Sequence, residues 1–172
     1  MRGFALTLTA LALLACGGDN LTGPGSDLVG SWQLVSTNIG ATAAANLREH
    51  LLDNGVNPDV VDEQVEEIRS AMDLVFRDVG LSILRVHADG TYADNYGDRG
   101  TWSVKGDTLT ITDRDAITIT CRYFVDGQDL TLIFNKAQLR VTMMPHGHEA
   151  RQFFDIMFRA DDVLRLFFKT RP

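Results

Sequence analysis

Asp89-Gly90-Thr91-Tyr92, Gly100-Thr101-Trp102-Ser103-Val104 and Lys105-Gly106-Asp107-Thr108-Leu109-Thr110-Ile111-Thr112 decide the fold of this chain. Apolar and polar residues alternate along these runs, and turn residues separate them. Asp89-Gly90 and Gly106-Asp107 read as hairpin junctions, because glycine accepts positive φ and aspartate tolerates it. Trp102, Val104, Leu109 and Ile111 fall on one face, with Thr108, Thr110 and Thr112 opposite. The pattern continues in Ile117–Val125, which turns at Asp126-Gly127 into Leu130–Phe134, and it begins upstream in Leu81–Ala88. Short strands with a turn every several residues predict an antiparallel meander. Closing such a meander into a barrel removes its exposed edges.

Outside this block, Leu28, Trp32 and Leu34 share a parity and mark a first strand through Ser36, with Gly30 between them. Residues 38–80 change to helical spacing. Ala41–Asp53 is a first helix with Gly55 as its stop. Asn57 can cap a second helix, Pro58 suits its first position, and Asp59, Asp62 and Glu63 lie near the positive end of its dipole. Val61, Val65, Ile68, Met72, Val75, Phe76 and Val79 then form a stripe ending at Gly80. The two helices, joined at Asn54–Asn57, make an αα-hairpin.

The C-terminal part is less clear. Ala137, Leu139, Val141 and Met143 alternate like a strand, while Ala137, Val141 and Met144 also fit a helix. Ala150, Phe153, Phe154, Met157 and Phe158 have helical spacing, and Leu164, Leu166 and Phe168 alternate as a last strand able to pair with the first. The predicted fold is mainly β: an up-and-down antiparallel barrel over residues 28–172, with the helical insert 38–80 between strands 1 and 2.

The N-terminus carries a different message. Met1-Arg2-Gly3 supplies a charge, Phe4–Leu14 is a short apolar run, and Leu13-Leu14-Ala15-Cys16 closes it. This is a secretory signal rather than a spanning helix. Its ending resembles the lipobox of bacterial lipoproteins, which implies removal of residues 1–15 and acylation of Cys16. Several acyl chains on one residue make a durable anchor, at about 0.8 kcal/mol per buried methylene. Residues 16–27 read as a Gly-rich flexible tether. Gly17 rather than aspartate after the cysteine implies the outer membrane. The expected location is therefore the cell envelope, lipid-anchored and facing the periplasm.

Without residues 1–15 the chain holds 15 basic against 23 acidic residues, a formal charge of −8. That surface repels phosphate backbones, so nucleic acid is excluded as a partner. Cys121 is the other cysteine. Its parity with Ile117, Ile119 and Tyr123 predicts a buried structural thiol, and acylation of Cys16 leaves it nothing to pair with.

Gly30-Ser31-Trp32 at the first strand resembles the Gly-x-Trp motif of lipocalins and their calycin relatives. The Asp89–Tyr92, Gly100–Val104 and Gly106–Thr110 stretches look like the lipocalin-like domains found behind bacterial lipoboxes. The resemblance implies that Trp32 packs on an arginine from the end of the barrel, for which Arg165 or Arg171 is the candidate. Fatty-acid-binding proteins of the same superfamily insert a helix–turn–helix lid between strands 1 and 2, where this chain has its αα-hairpin. Val61, Val65, Ile68, Met72 and Phe76 are the lid residues so implied. The insert here is longer, and the Arg-x-Tyr fatty-acid clamp has no clear counterpart.

Other clusters read as structural. His146-Gly147-His148-Glu149 has metal-like composition but matches no standard spacing, and a polar loop explains it as well. Asp89, Asp94, Asn95 and Asp98 lack the order of a calcium loop and suit hairpin turns. No nucleophile elbow or phosphate loop is present, so neither an enzyme nor a cofactor is expected. Two functions remain. One is a membrane-anchored barrel holding a small hydrophobic or amphipathic ligand, lipid included, under the helical lid. The other is a filled barrel, closed inside by Trp102, Phe124 and Phe134, that presents its helices to an envelope protein.

Overall fold

A computed structural model describes residues 25–74, 82–95, 97–143 and 151–171. The expectations placed on residues 1–24, on Val75, Phe76 and Val79, and on His146–Glu149 lie outside the described residues. Eight strands form one closed antiparallel barrel in chain order. They are β1 (Gly30–Thr37), β2 (Ile83–Val86), β3 (Thr91–Asp94), β4 (Arg99–Lys105), β5 (Thr108–Asp113), β6 (Thr118–Asp126), β7 (Asp129–Phe134) and β8 (Leu164–Thr170). Each pairs with its sequence neighbour, and β8 returns to β1 through Trp32↔Thr170 and Leu34↔Phe168. The last strand thus closes the sheet against the first, and no edge is left open.

The two ends of the cylinder differ. At one end lie the three tight hairpins. Gly90 (φ 83°), Gly106 (φ 63°) and Gly127 (φ 59°) occupy them in the left-handed region that glycine enters without steric cost. A 3₁₀ turn at Ser26–Leu28, just ahead of β1, covers this end. Leu28 is fully buried there. Gly25 approaches so closely that a Cβ would stand 3.0 Å from both Trp102 and Val104.

All helices gather at the other end. α1 (Ile39–Asp53) and α2 (Pro58–Leu74) fall between β1 and β2, while α3 (Lys136–Met143) and α4 (Arg151–Met157) fall between β7 and β8. Asn57 Oδ1 accepts the Asp59 N–H at 3.0 Å, as a capping residue does. α3 resolves the ambiguity of the tail in favour of a helix. Asn135 and Gln138 form a reciprocal capping box, in which each side-chain oxygen accepts the other's backbone N–H, at 3.0 and 2.8 Å.

Strand parity sorts inside from outside. Trp32, Leu34, Leu84, Val86, Leu130, Leu132, Phe134, Leu164, Leu166 and Phe168 are all buried. They join Ile39, Ala43, Leu139, Phe154, Met157 and Phe158 of the helical end in one core. Phe124 is a correction. Expected among the side chains that fill the barrel, it is 62% exposed, because it has the opposite parity to Cys121, Tyr123 and Val125.

Gly100 shows how tightly the wall is built. A Cβ there would collide with the Thr112 carbonyl oxygen and stand 2.8 Å from the Tyr92 ring and 2.9 Å from the Asp113 Cα. Two of those three obstacles are backbone and cannot turn aside. The Gly100→Ala variant is expected to lose about 1–3 kcal/mol of stability through overpacking. Chemical denaturation checks it, and an unchanged midpoint would mean that β4 and β5 can part at this point.

Candidate functional site

The barrel interior is not uniform. On the β7-β8-β1-β2 side the inward residues are buried, several of them completely. On the β4-β5-β6 side, Trp102, Val104, Ile111, Ile119, Tyr123 and Val125 also face inward, yet each keeps part of its surface accessible. The register stacks them in rows: Trp102↔Ile111↔Ile119 and Val104↔Leu109↔Cys121. One side of the cylinder is therefore fully packed, while these six side chains of the other side pack against the same core less completely. The Trp102 indole is held from below, its Nε1–H donating to the His87 carbonyl at 2.9 Å.

Two polar residues of β3 also face this interior. Tyr92, in register with Gly100 and Val86, and Asp94, in register with Leu84, are both buried. Burial first, then the carboxylates of Asp113, Asp94 and Asp98, push the Tyr92 phenol up to about 12. Asp94 accepts the Asp98 N–H at 2.9 Å, and Asp113 accepts those of Asp115 and Ile117 at 2.9 Å. These carboxylates shape the turns after β3 and β5. The calcium-like cluster at Asp89–Asp98 thus has a structural use, with Asp89 taking both Thr91 donors.

Cys121 is buried and is the free cysteine among the described residues. Burial pushes its thiol up to about 12. Unfolded, the thiol ionises near 9 and the Tyr92 phenol near 10. Between those values and about 12 the folded chain holds protons that the unfolded chain has released. Stability is therefore complete below pH 9 and falls as pH rises toward 12, by up to about 1.4 kcal/mol per unit for each group. The melting temperature is expected to drop across that window, and less steeply in Cys121→Ser. A melting temperature flat to pH 12 would contradict the burial of both groups.

The helical cover has a fixed and an outer part. Asn38 ties the start of α1 to β8, donating to the Val163 carbonyl at 2.9 Å and accepting the Arg165 N–H at 2.6 Å. Asn46 ties the middle of α1 to the end of α4 through the Met157 carbonyl at 2.9 Å and Asp162 at 2.8 Å. α2 packs on α1 and carries the residues expected to form a lid. Val61 is fully buried, Val65, Ile68 and Met72 are half-buried, and Ile68 and Met72 reach the barrel core. Phe76 lies outside the described residues. At Gly40 the two helices cross so closely that a Cβ would stand 3.0 Å from the Arg69 carbonyl oxygen.

The motif at the first strand is placed differently from one expectation. Gly30 pairs with Val86, and a Cβ on it would face the Trp32 indole at 3.8 Å. Trp32 is 2% exposed and its Nε1–H donates to the Leu28 carbonyl at 2.8 Å. Arg165, expected to stack on Trp32, stands at the opposite end of β8, between the inward Leu164 and Leu166 and so facing outward. Thr170 is the residue beside Trp32, and the Arg171 N–H donates to the Ser31 carbonyl at 2.8 Å. The partner of the tryptophan is the 3₁₀ turn, not Arg165. Among the described residues no cluster of His, Cys, Asp and Glu is arranged to hold a metal.

A family model described as Lipocalin-like domain matches residues 28–138. The chain belongs to that family. Neither the comparison with curated proteins nor that with solved structures gave a match. The match stops inside α3, so α4 and β8, which complete the mouth and close the sheet, lie beyond it.

Proposed function

We propose that this lipocalin-like protein is a lipid-anchored carrier of the cell envelope, holding one small hydrophobic or amphipathic molecule inside its barrel. One observation carries the reading. Trp102, Val104, Ile111, Ile119, Tyr123 and Val125 of β4, β5 and β6 keep part of their surface accessible, whereas Leu109, Cys121 and the inward residues of the opposite strands are buried. An apolar ligand against Trp102, Ile111, Ile119 and Val125 would gain roughly 25 cal/mol for each Å² of surface it removes from water. In this reading Tyr92, buried beside Gly100, would orient a polar group of such a molecule.

Entry would pass the helices. α1 is bonded to β8 and α4, so opening falls to α2, whose stripe of Val61, Val65, Ile68 and Met72 rests on α1 and on the core. In this reading Cys16 carries the acyl anchor, a tether ending ahead of Gly25, where the chain packs on the barrel, lets the domain stand off the surface, and the site faces the periplasm from the outer membrane. A second reading has its own support. Ile39, Leu139, Phe154 and Phe158 plug the mouth and belong to the same core as the strands. A filled barrel would instead offer its helices to an envelope protein.

Native mass spectrometry of the full chain released from membranes tests both halves of the proposal. The expected spectrum shows a chain beginning at an acylated Cys16, with one non-covalent apolar molecule retained. An acylated chain without a passenger would favour the filled barrel. A chain without acyl groups would remove the anchor and leave the carrier reading to stand alone.

A further inference from the structure

We infer that the outer wall of β2, β3 and β4 is a second binding site, built for a phosphate-type anion. The register places Arg85, Ala93 and Arg99 in one row across these three strands. Leu84, Val86, Tyr92 and Asp94 are buried, so the parity turns Arg85, Ala93 and Arg99 outward. Two strand spacings separate the arginines, roughly 10 Å between Cα atoms. Between them the chain has only the methyl of Ala93. The two guanidiniums therefore border an unfilled gap, over which both can lean toward one anion.

The surroundings agree. The row lies in a surface groove of about 800 Å³ lined also by His87, Thr91 and Thr101 of the next row, by Arg114, and by Tyr92 and Gly100 of the strands between. Arg114 is engaged by Asp98 at 3.5 Å and Asp115 at 3.9 Å. Asp113, the carboxylate in the lining, already accepts two backbone N–H groups. Arg85 and Arg99 have no carboxylate within ion-pair distance among the described residues. By contrast, Arg48, Arg69, Arg122, Lys136, Arg159 and Lys169 each meet one. In a chain of net charge −7, two unpaired guanidiniums flanking a small residue in a groove form a local cationic fork. Arginine suits this use, because its planar donors can each bind two phosphate oxygens.

A free phosphate and the phosphate of a lipid headgroup share this chemistry, and the experiment separates them. Inorganic phosphate is titrated calorimetrically into the full chain. The full-length Cys16→Ser chain, which cannot be acylated, is co-sedimented with phosphatidylcholine vesicles with and without phosphatidylglycerol. Saturable phosphate binding that weakens about tenfold or more in Arg85→Gln/Arg99→Gln would establish a free-anion site. Sedimentation only with the anionic vesicles, lost in the same double variant, would establish the headgroup as the ligand. The Arg122→Ala/Lys169→Ala chain, which removes two paired cations elsewhere on the barrel, should behave as the unmodified protein in either arm. Absence of binding in both arms would overturn the inference. So would binding that the Arg85/Arg99 double variant retains, provided its melting temperature matches that of the parent.

Discussion

Replacing Trp32 with alanine is expected to lower stability by about 3–5 kcal/mol, the cost of deleting a large buried aromatic from a core. The indole is 2% exposed and sits where β1 meets β2 and β8. It also holds the 3₁₀ turn, since its Nε1–H donates to the Leu28 carbonyl at 2.8 Å. Alanine would leave a cavity and strip that carbonyl of its partner. Trp32→Phe separates the two effects, retaining most of the volume while losing the hydrogen bond, and should cost clearly less. Urea denaturation of both variants reads the difference. A Trp32→Ala midpoint equal to that of the parent would show that the hairpin end of the barrel does not depend on this residue.

Phe158→Ala is expected to cost a similar amount, about 3–5 kcal/mol, while Phe153→Ala five positions earlier should stay within about 0.5 kcal/mol. Phe158 is 0% exposed, its ring centroid is 4.8 Å from that of Phe154, and it belongs to the core. Phe153 is 42% exposed. The pair tests the part of the molecule beyond the family match, because α4 delivers the chain from the mouth into β8. Were both variants equally mild, the C-terminal segment would be an accessory to the barrel and not its closure.

Much of this architecture can be read directly from residue order. The two-residue alternation in Trp102-Ser-Val104 and Leu109-Thr-Ile111, with glycine at each turn, leaves little choice but a meander. The placement of the αα-hairpin follows as directly from the stripe of Val61, Val65, Ile68 and Met72. What failed did so for identifiable reasons. Phe124, a candidate to close a filled barrel, is turned outward by the Cys121-Tyr123-Val125 parity. Arg165 was chosen because it lies in the last strand, but the Leu164-Leu166-Phe168 alternation points it away from the interior. The antiparallel register then sets it a full strand length from Trp32. The start of α3 was marked by Asn135 and Gln138, whose three-residue spacing is a helix-capping signal that alternation alone obscured. The arginine row of β2 and β4 had no signature in the chain, since Arg85 and Arg99 become neighbours only through Ala93 on the intervening strand.

The unequal interior was equally hidden. Trp102, Ile111 and Ile119 have the same composition and period as the residues of the packed side. Only the closed cylinder shows which wall the helical side chains reach. Ile39, Leu139, Phe154 and Phe158 enter the same core as β1, β7 and β8, and the wall of β4, β5 and β6 keeps its accessible surface. The carrier reading depends on that asymmetry.

The most direct test is titration of the protein with a fluorescent amphiphile, compared with Ile119→Trp, which fills the space beside the accessible wall. Saturable binding of one molecule per chain is expected, with quenching of Trp102 emission, and at least about tenfold weaker binding in the filled variant, since lost apolar contact of this kind is worth about 1.4 kcal/mol or more. Equal affinity in the two proteins, or no binding in either, would contradict a ligand site on the inner face of β4, β5 and β6.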